Sequence, residues 1–99
     1  MDIKKIFGSN LKKYRKLRGL TQEKLAEKVN LSIPYIGAIE IGQKFPSPKK
    51  MSALILALNI SPYLLFVDDR ISFEKTKEII NQKVNELINE IINTVIPSP

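Results

Sequence analysis

The side chains best able to do chemistry in this chain are cationic, and they are unevenly placed. Residues 1–50 hold twelve of them: Lys4, Lys5, Lys12, Lys13, Arg15, Lys16, Arg18, Lys24, Lys28, Lys44, Lys49 and Lys50. Against these stand Asp2, Glu23, Glu27 and Glu40, so this half carries a net +8. Residues 51–99 hold four basic residues (Arg70, Lys75, Lys77, Lys83) and six acidic ones, a net −2, within a chain total of +6. A basic half on a small domain points to an anionic partner, most often nucleic acid. Thirteen lysines beside fifteen isoleucines also fit an A/T-rich coding bias. That bias accounts for part of the lysine count but not for the excess in one half.

Much other chemistry is excluded. The chain has no Cys and no His. Thiolate nucleophiles, disulfides and Cys or His metal ligands are therefore absent, and so is the commonest general base. No Ser/His or Cys/His catalytic arrangement can be assembled, so no enzyme is expected, and neither a cofactor nor a metal is called for. The 99 residues suit one small domain plus one further element. Apolar residues at 43% and charged residues at 26% are a globular composition. No apolar run approaches the roughly 18 residues of a membrane span. The start, Met1-Asp2-Ile3-Lys4-Lys5, lacks the apolar stretch of a secretory signal, so a cytoplasmic setting is expected.

The elements that must position the basic residues read as short helices with firm punctuation. The first spans about Ile3 to Arg18, with Ile6 or Phe7, Leu11, Tyr14 and Leu17 inward, and Gly19 ends it. Thr21 offers a cap for a second helix, Gln22–Val29, in which Leu25, Ala26 and Val29 share a face. After a tight turn at Asn30-Leu31, Ser32 caps a third, Ile33–Glu40, with Pro34 in its first turn and Ile36 and Ile39 inward. Ser47-Pro48 opens a fourth helix and Ser61-Pro62 a short fifth. Asp68-Asp69-Arg70 is a charged break, and a long helix is expected from Ser72 to about Val95. The domain expectation is thus 1–67, a linker at 68–72, and a C-terminal helix at 73–96.

Two short helices joined by a turn of three to four residues form the helix-turn-helix pattern, whose second helix enters the major groove. The run from Arg15 through Gly19-Leu20-Thr21-Gln22 to Ala26 resembles the Cro/phage-repressor type, or XRE family, of helix-turn-helix proteins. Leu31-Ser32-Ile33-Pro34-Tyr35-Ile36-Gly37-Ala38-Ile39-Glu40-Ile41-Gly42 carries the same resemblance, as do Pro46-Ser47-Pro48 and Asn59-Ile60-Ser61. It covers about residues 3–66. The resemblance implies an all-α, five-helix, lambda-repressor-like bundle that binds duplex DNA sequence-specifically as a dimer. It also implies that Gln22 contacts a phosphate, or in some members a base, and that Arg15 and Glu40 form a partly buried ion pair holding the recognition helix.

The recognition helix departs from the family pattern. Its outward positions, Ile33, Pro34, Gly37, Ala38 and Ile41, have no polar side chain, where family members often carry Gln, Ser, Arg or Asn. Bidentate base contacts are then out of reach, leaving thymine methyls and DNA shape. Thr21, Ser32 and Tyr35, with Gln43 and Lys44 from the following loop, are placed to meet phosphates. The competing reading is an apolar protein interface, as in an antirepressor or antitoxin.

At 100° per residue, Phe73, Ile80, Val84, Leu87, Ile88, Ile91 and Val95 of the C-terminal helix fall in one stripe about 100° wide, and Lys77 near its start. The stripe needs a further surface: a second copy, its own domain, or less readily a membrane, since the polar face is rich in Asn and Glu. A homodimer on a palindromic operator, acting as a transcriptional repressor, is the expected function.

Overall fold

The computed structural model describes residues 2–95, without the side chains of 69–73, 76 and 95. Helices α1 (Ile3–Leu17), α2 (Gln22–Val29), α3 (Ile33–Glu40), α4 (Pro48–Leu58) and α5 (Asp69–Val95) follow in order, with a 3₁₀ turn at Pro62–Leu65 before α5. The chain divides into two compact units, Met1–Val67 and Asp68–Pro99. No described helix is long and apolar enough to cross a membrane.

Each early helix starts on a side chain that satisfies an otherwise orphaned backbone N–H. Asp2 accepts from the amides of Lys4 (3.1 Å) and Lys5 (3.4 Å). Thr21 accepts from Lys24 (3.1 Å), Ser32 from Tyr35 (3.2 Å) and Ser47 from Lys50 (3.3 Å). Proline in the first turn fixes the entry into α3 and α4. The stops are left-handed residues: Gly19 at φ 70° beyond α1, Asn30 at 55° after α2 and Asn59 at 51° after α4.

Phe7, Leu11, Leu25, Ile36, Ile39, Leu54, Leu58 and Leu65 are wholly buried and, with Ala26, form the core of the first unit. Phe7 meets Phe45 and Phe66 edge-on, at centroid distances of 5.1 and 5.5 Å. The buried amide of Asn10 donates to the carbonyls of Leu65 (3.1 Å) and Val67 (2.7 Å), fastening the 3₁₀ turn to α1. At Gly8 a Cβ would collide with the carbonyl oxygens of Ile39 and Glu40, so α1 and α3 pack backbone against backbone.

Three expectations are corrected. Leu17 does not join the core. It is 68% exposed: Phe7, Leu11 and the partly buried Tyr14 make up the inward face of α1, and Arg15 and Arg18 tie the end of the helix to the bundle. The fifth helix of the bundle is a four-residue 3₁₀ turn, with no side-chain cap bond from Ser61. The long helix begins at Asp69, not Ser72, so the 68–72 break is mostly helix. An acidic pair in sequence at a helix start complements the dipole, and the charged triplet is therefore a start signal. Along α5 all described side chains from Glu74 to Thr94 are exposed, including Ile79 and Ile92 outside the apolar stripe. The side chains of Phe73 and Val95, assigned to that stripe, lie outside the described residues.

Candidate nucleic-acid interface

Helices α2 and α3 are joined at Asn30, whose left-handed conformation lets the chain reverse within three residues. The Leu31 amide closes the turn on the Ala26 carbonyl (3.0 Å). The period of α3 then sorts its side chains. Ile36 and Ile39 are wholly buried, whereas Ile33 is 45% exposed, Ile41 63% exposed and Pro34 exposed. Gly37 and Ala38 are half-buried between them. The outward face is therefore apolar and low in relief, without a hydrogen-bonding side chain.

A buried polar cluster supports α3 from beneath. Arg15 donates from Nε to Glu40 Oε2 (2.6 Å) and from Nη2 to Oε1 (3.0 Å), a bidentate pair whose side chains are 8% and 1% exposed. Arg15 Nη1 also donates to the Leu20 carbonyl (2.8 Å). Gln22 donates from Nε2 to Glu40 Oε1 (3.0 Å), and its amide lies within 4 Å of where a Gly37 Cβ would stand. Among the described residues no buried side-chain polar atom lacks a partner. The cluster links α1, the start of α2 and the end of α3, which fixes how α3 is presented.

A cationic rim flanks this face. Lys44 Nζ lies 5.8 Å and Lys50 Nζ 4.6 Å from the half-buried Tyr35 ring. Thr21 and Ser32 are exposed and engaged as caps, and Gln43 is exposed in the loop after α3. The amides of Gln43 and Lys44 both return to the Ala38 carbonyl, at 2.9 and 3.2 Å. The structure thus gathers Arg15, Gln22, Gly37 and Glu40 into one group and Tyr35 and Lys44 into another.

Sequence reasoning missed four contributors. Lys50 joins the Tyr35 group from the first turn of α4, and its position after the Ser47-Pro48 start was the available signal. Arg18, counted only as general positive charge, donates to the carbonyls of Leu58 (2.7 Å) and Asn59 (2.9 Å) and so closes the end of α4. Gly8 and Asn10 act through tertiary contacts that nothing in their neighbourhood announces.

A family model described as helix-turn-helix matches residues 11–65. The chain belongs to the helix-turn-helix family. Within it the resemblance is to the XRE type. Control protein C.SmaI of Serratia marcescens is 41% identical over 66 residues, covering 66% of this chain and 79% of that protein. The uncharacterized HTH-type transcriptional regulator YqaE of Bacillus subtilis is 32% identical over 79 residues, 77% of this chain and 68% of that one. The restriction-modification controller protein C.AhdI from Aeromonas hydrophila superposes with a TM-score of 0.61 at 38% identity, covering 64% of this chain and 96% of its own. This helix-turn-helix protein is a DNA-binding transcriptional regulator.

Proposed function

We propose that the chain is a repressor that binds a palindromic operator in duplex DNA as a homodimer. Residues 1–67 are the DNA-binding part, and α5 is the dimerisation helix through Ile80, Val84, Leu87, Ile88, Ile91 and Val95. It acts in the cytoplasm and has no catalytic role, in keeping with a sequence that lacks both Cys and His. The relatives that carry the names of controller proteins support a regulatory role.

The carrying observation is the division of labour around α3: an outward face without a hydrogen-bonding side chain, edged by Lys44 and Lys50. Affinity then comes from phosphates, met by Thr21, Gln22, Ser32, Tyr35, Gln43 and Lys44, and by Lys50, a reading supported by its place beside Tyr35. Base discrimination falls to Ile33, Pro34, Gly37 and Ala38, by contact with thymine methyls and by close approach of the backbone. Gln22 spends one Nε2–H on Glu40, so its second N–H and the amides of the first turn of α2 are the donors left to face a phosphate.

Selection of bound sites from random duplex DNA tests the reading. The expected product is a two-fold symmetric site with thymines at the contacted positions, its half-sites about one DNA turn, roughly 34 Å, apart. Replacing one such thymine with uracil removes only the methyl and should weaken binding roughly threefold to fivefold. A recovered site insensitive to that change, or no enrichment at all, would overturn the assignment of the α3 face.

A further inference from the structure

The exposed seam of α5 carries a charge pattern as well as an apolar one. Ile80, Val84, Leu87 and Ile91 recur at alternating steps of four and three residues, and all four are 47–60% exposed. Lys83 and Glu90 stand seven residues apart, so both lie on the same edge of this seam, within roughly 20° of one another. The opposite edge has no charged residue at the matching positions, Asn81 and Ile88.

We propose that two copies of the chain pair through α5 in antiparallel orientation, an inference that rests on the reading of α5 as the dimerisation helix. Opposed runs place Ile80 against Ile91 of the second copy and Val84 against its Leu87. Two-fold symmetry repeats both contacts, giving four apolar layers in succession. In that register Lys83 of each copy lies beside Glu90 of the other, because residues of the same edge face one another only when the helices run in opposite directions. A parallel pair forfeits both ion pairs, sets Lys83 against Ile88, and brings Lys77 beside its own counterpart. The competing pair within one helix, Lys83 with Glu86 at 3.4 Å, is exposed at 72% and 51%, and such pairs contribute little. The four layers span twelve residues, just under two heptads, so the charges add the direction that so short a seam leaves unset.

The chain contains no Cys, so introduced thiols are the only ones present. The test oxidises the full-length Ile80→Cys and Ile91→Cys variants separately and mixed, with helicity by circular dichroism and mass by light scattering as controls. The mixture should form a disulfide-linked dimer and neither variant alone should. In the antiparallel register two copies of position 80 lie eleven residues apart along the axis, roughly 16 Å, beyond disulfide reach. Cross-linking of Ile80→Cys alone would overturn the orientation. A light-scattering dimer without any cross-link would also overturn it, while operator binding by gel shift would still uphold the dimeric regulator. A monomeric unmodified chain would remove both readings. A second measurement needs no thiol. Lys83→Glu should weaken the dimer roughly tenfold, through two like-charge contacts, and adding Glu90→Lys should restore it. Failure of the double change to restore pairing would also count against the register.

Discussion

The two units use apolar residues in opposite ways. In the first, Phe7, Leu11, Leu25, Ile36, Ile39, Leu54, Leu58 and Leu65 lose all contact with solvent. Even the charged Arg15 and Glu40 are buried as a bidentate pair. In the second, Ile79, Ile80, Val84, Leu87, Ile88, Ile91 and Ile92 are 47–60% exposed. Both are amphipathic helix sequences, so local pattern does not separate them. What separates them is the company each face keeps: α3 and the 3₁₀ turn lie against α1, and none of the described side chains of α5 is covered. The first unit therefore buries its apolar side chains within itself, and α5, taken by itself, leaves its apolar stripe exposed.

The sharpest way to break this contrast is to strand the charge at the centre of the first unit. Glu40→Ala should cost about 3–5 kcal/mol, because Arg15 then remains buried with only the Leu20 carbonyl to satisfy it. A fall in thermal midpoint should report this. Replacing both partners with apolar residues should recover part of the loss, though not the bond to Leu20. Strictly additive losses in the four-protein cycle would mean that the two side chains do not cooperate.

The next effect is steric. Gly8→Ala places a methyl group against the Ile39 and Glu40 carbonyls, which are helix backbone rather than the far end of a flexible side chain, so α1 and α3 must shift to admit it. A loss of about 3 kcal/mol is expected from urea unfolding. Ser9→Ala, one residue on and exposed, should stay within about 0.5 kcal/mol. Equal effects at the two positions would show that α1 can move away from α3.

On α5 the same reasoning reverses. Leu87→Glu with Ile91→Glu should leave the unfolding of residues 1–67 unchanged within about 0.5 kcal/mol, since both side chains are exposed. Yet it should yield a monomer by light scattering and weaken operator binding, because two half-site binders lose their effective local concentration. Unfolding of the whole chain would show that α5 belongs to the core of the first unit.

How much of this could be read in advance follows the range of each interaction. Caps and stops act within a few residues, so Thr21, Ser32, Ser47 and Gly19 mark the edges of α1 to α4 in the sequence itself. The pairing of Arg15 with Glu40 spans 25 residues and was legible only through the family resemblance. The roles of Gly8, Asn10 and Arg18 depend on segments 31 to 57 residues away, and no local pattern encodes a carbonyl arriving from that distance. Leu17 misled because helical spacing gives the angle of a side chain but not whether the core extends that far. Asp68-Asp69 misled because the same acidic residues that punctuate a loop also begin a helix.

The smallest effect sharpens the contrast in charge between the units. Lys44 and Lys50 flank Tyr35 beside the α3 face, whereas Lys75 is an exposed lysine of α5. Each phosphate neutralised by a lysine releases nearly one condensed counterion, so every true contact adds about 0.9 to the slope of log affinity against log salt concentration. Lys44→Ala and Lys50→Ala should each lower that slope by about this amount while keeping the same preferred site, because phosphates carry no sequence information. Lys75→Ala should leave it unchanged. An unaltered slope in Lys44→Ala would remove that residue from the interface, and an equal drop in Lys75→Ala would mean that α5 also lies on the DNA.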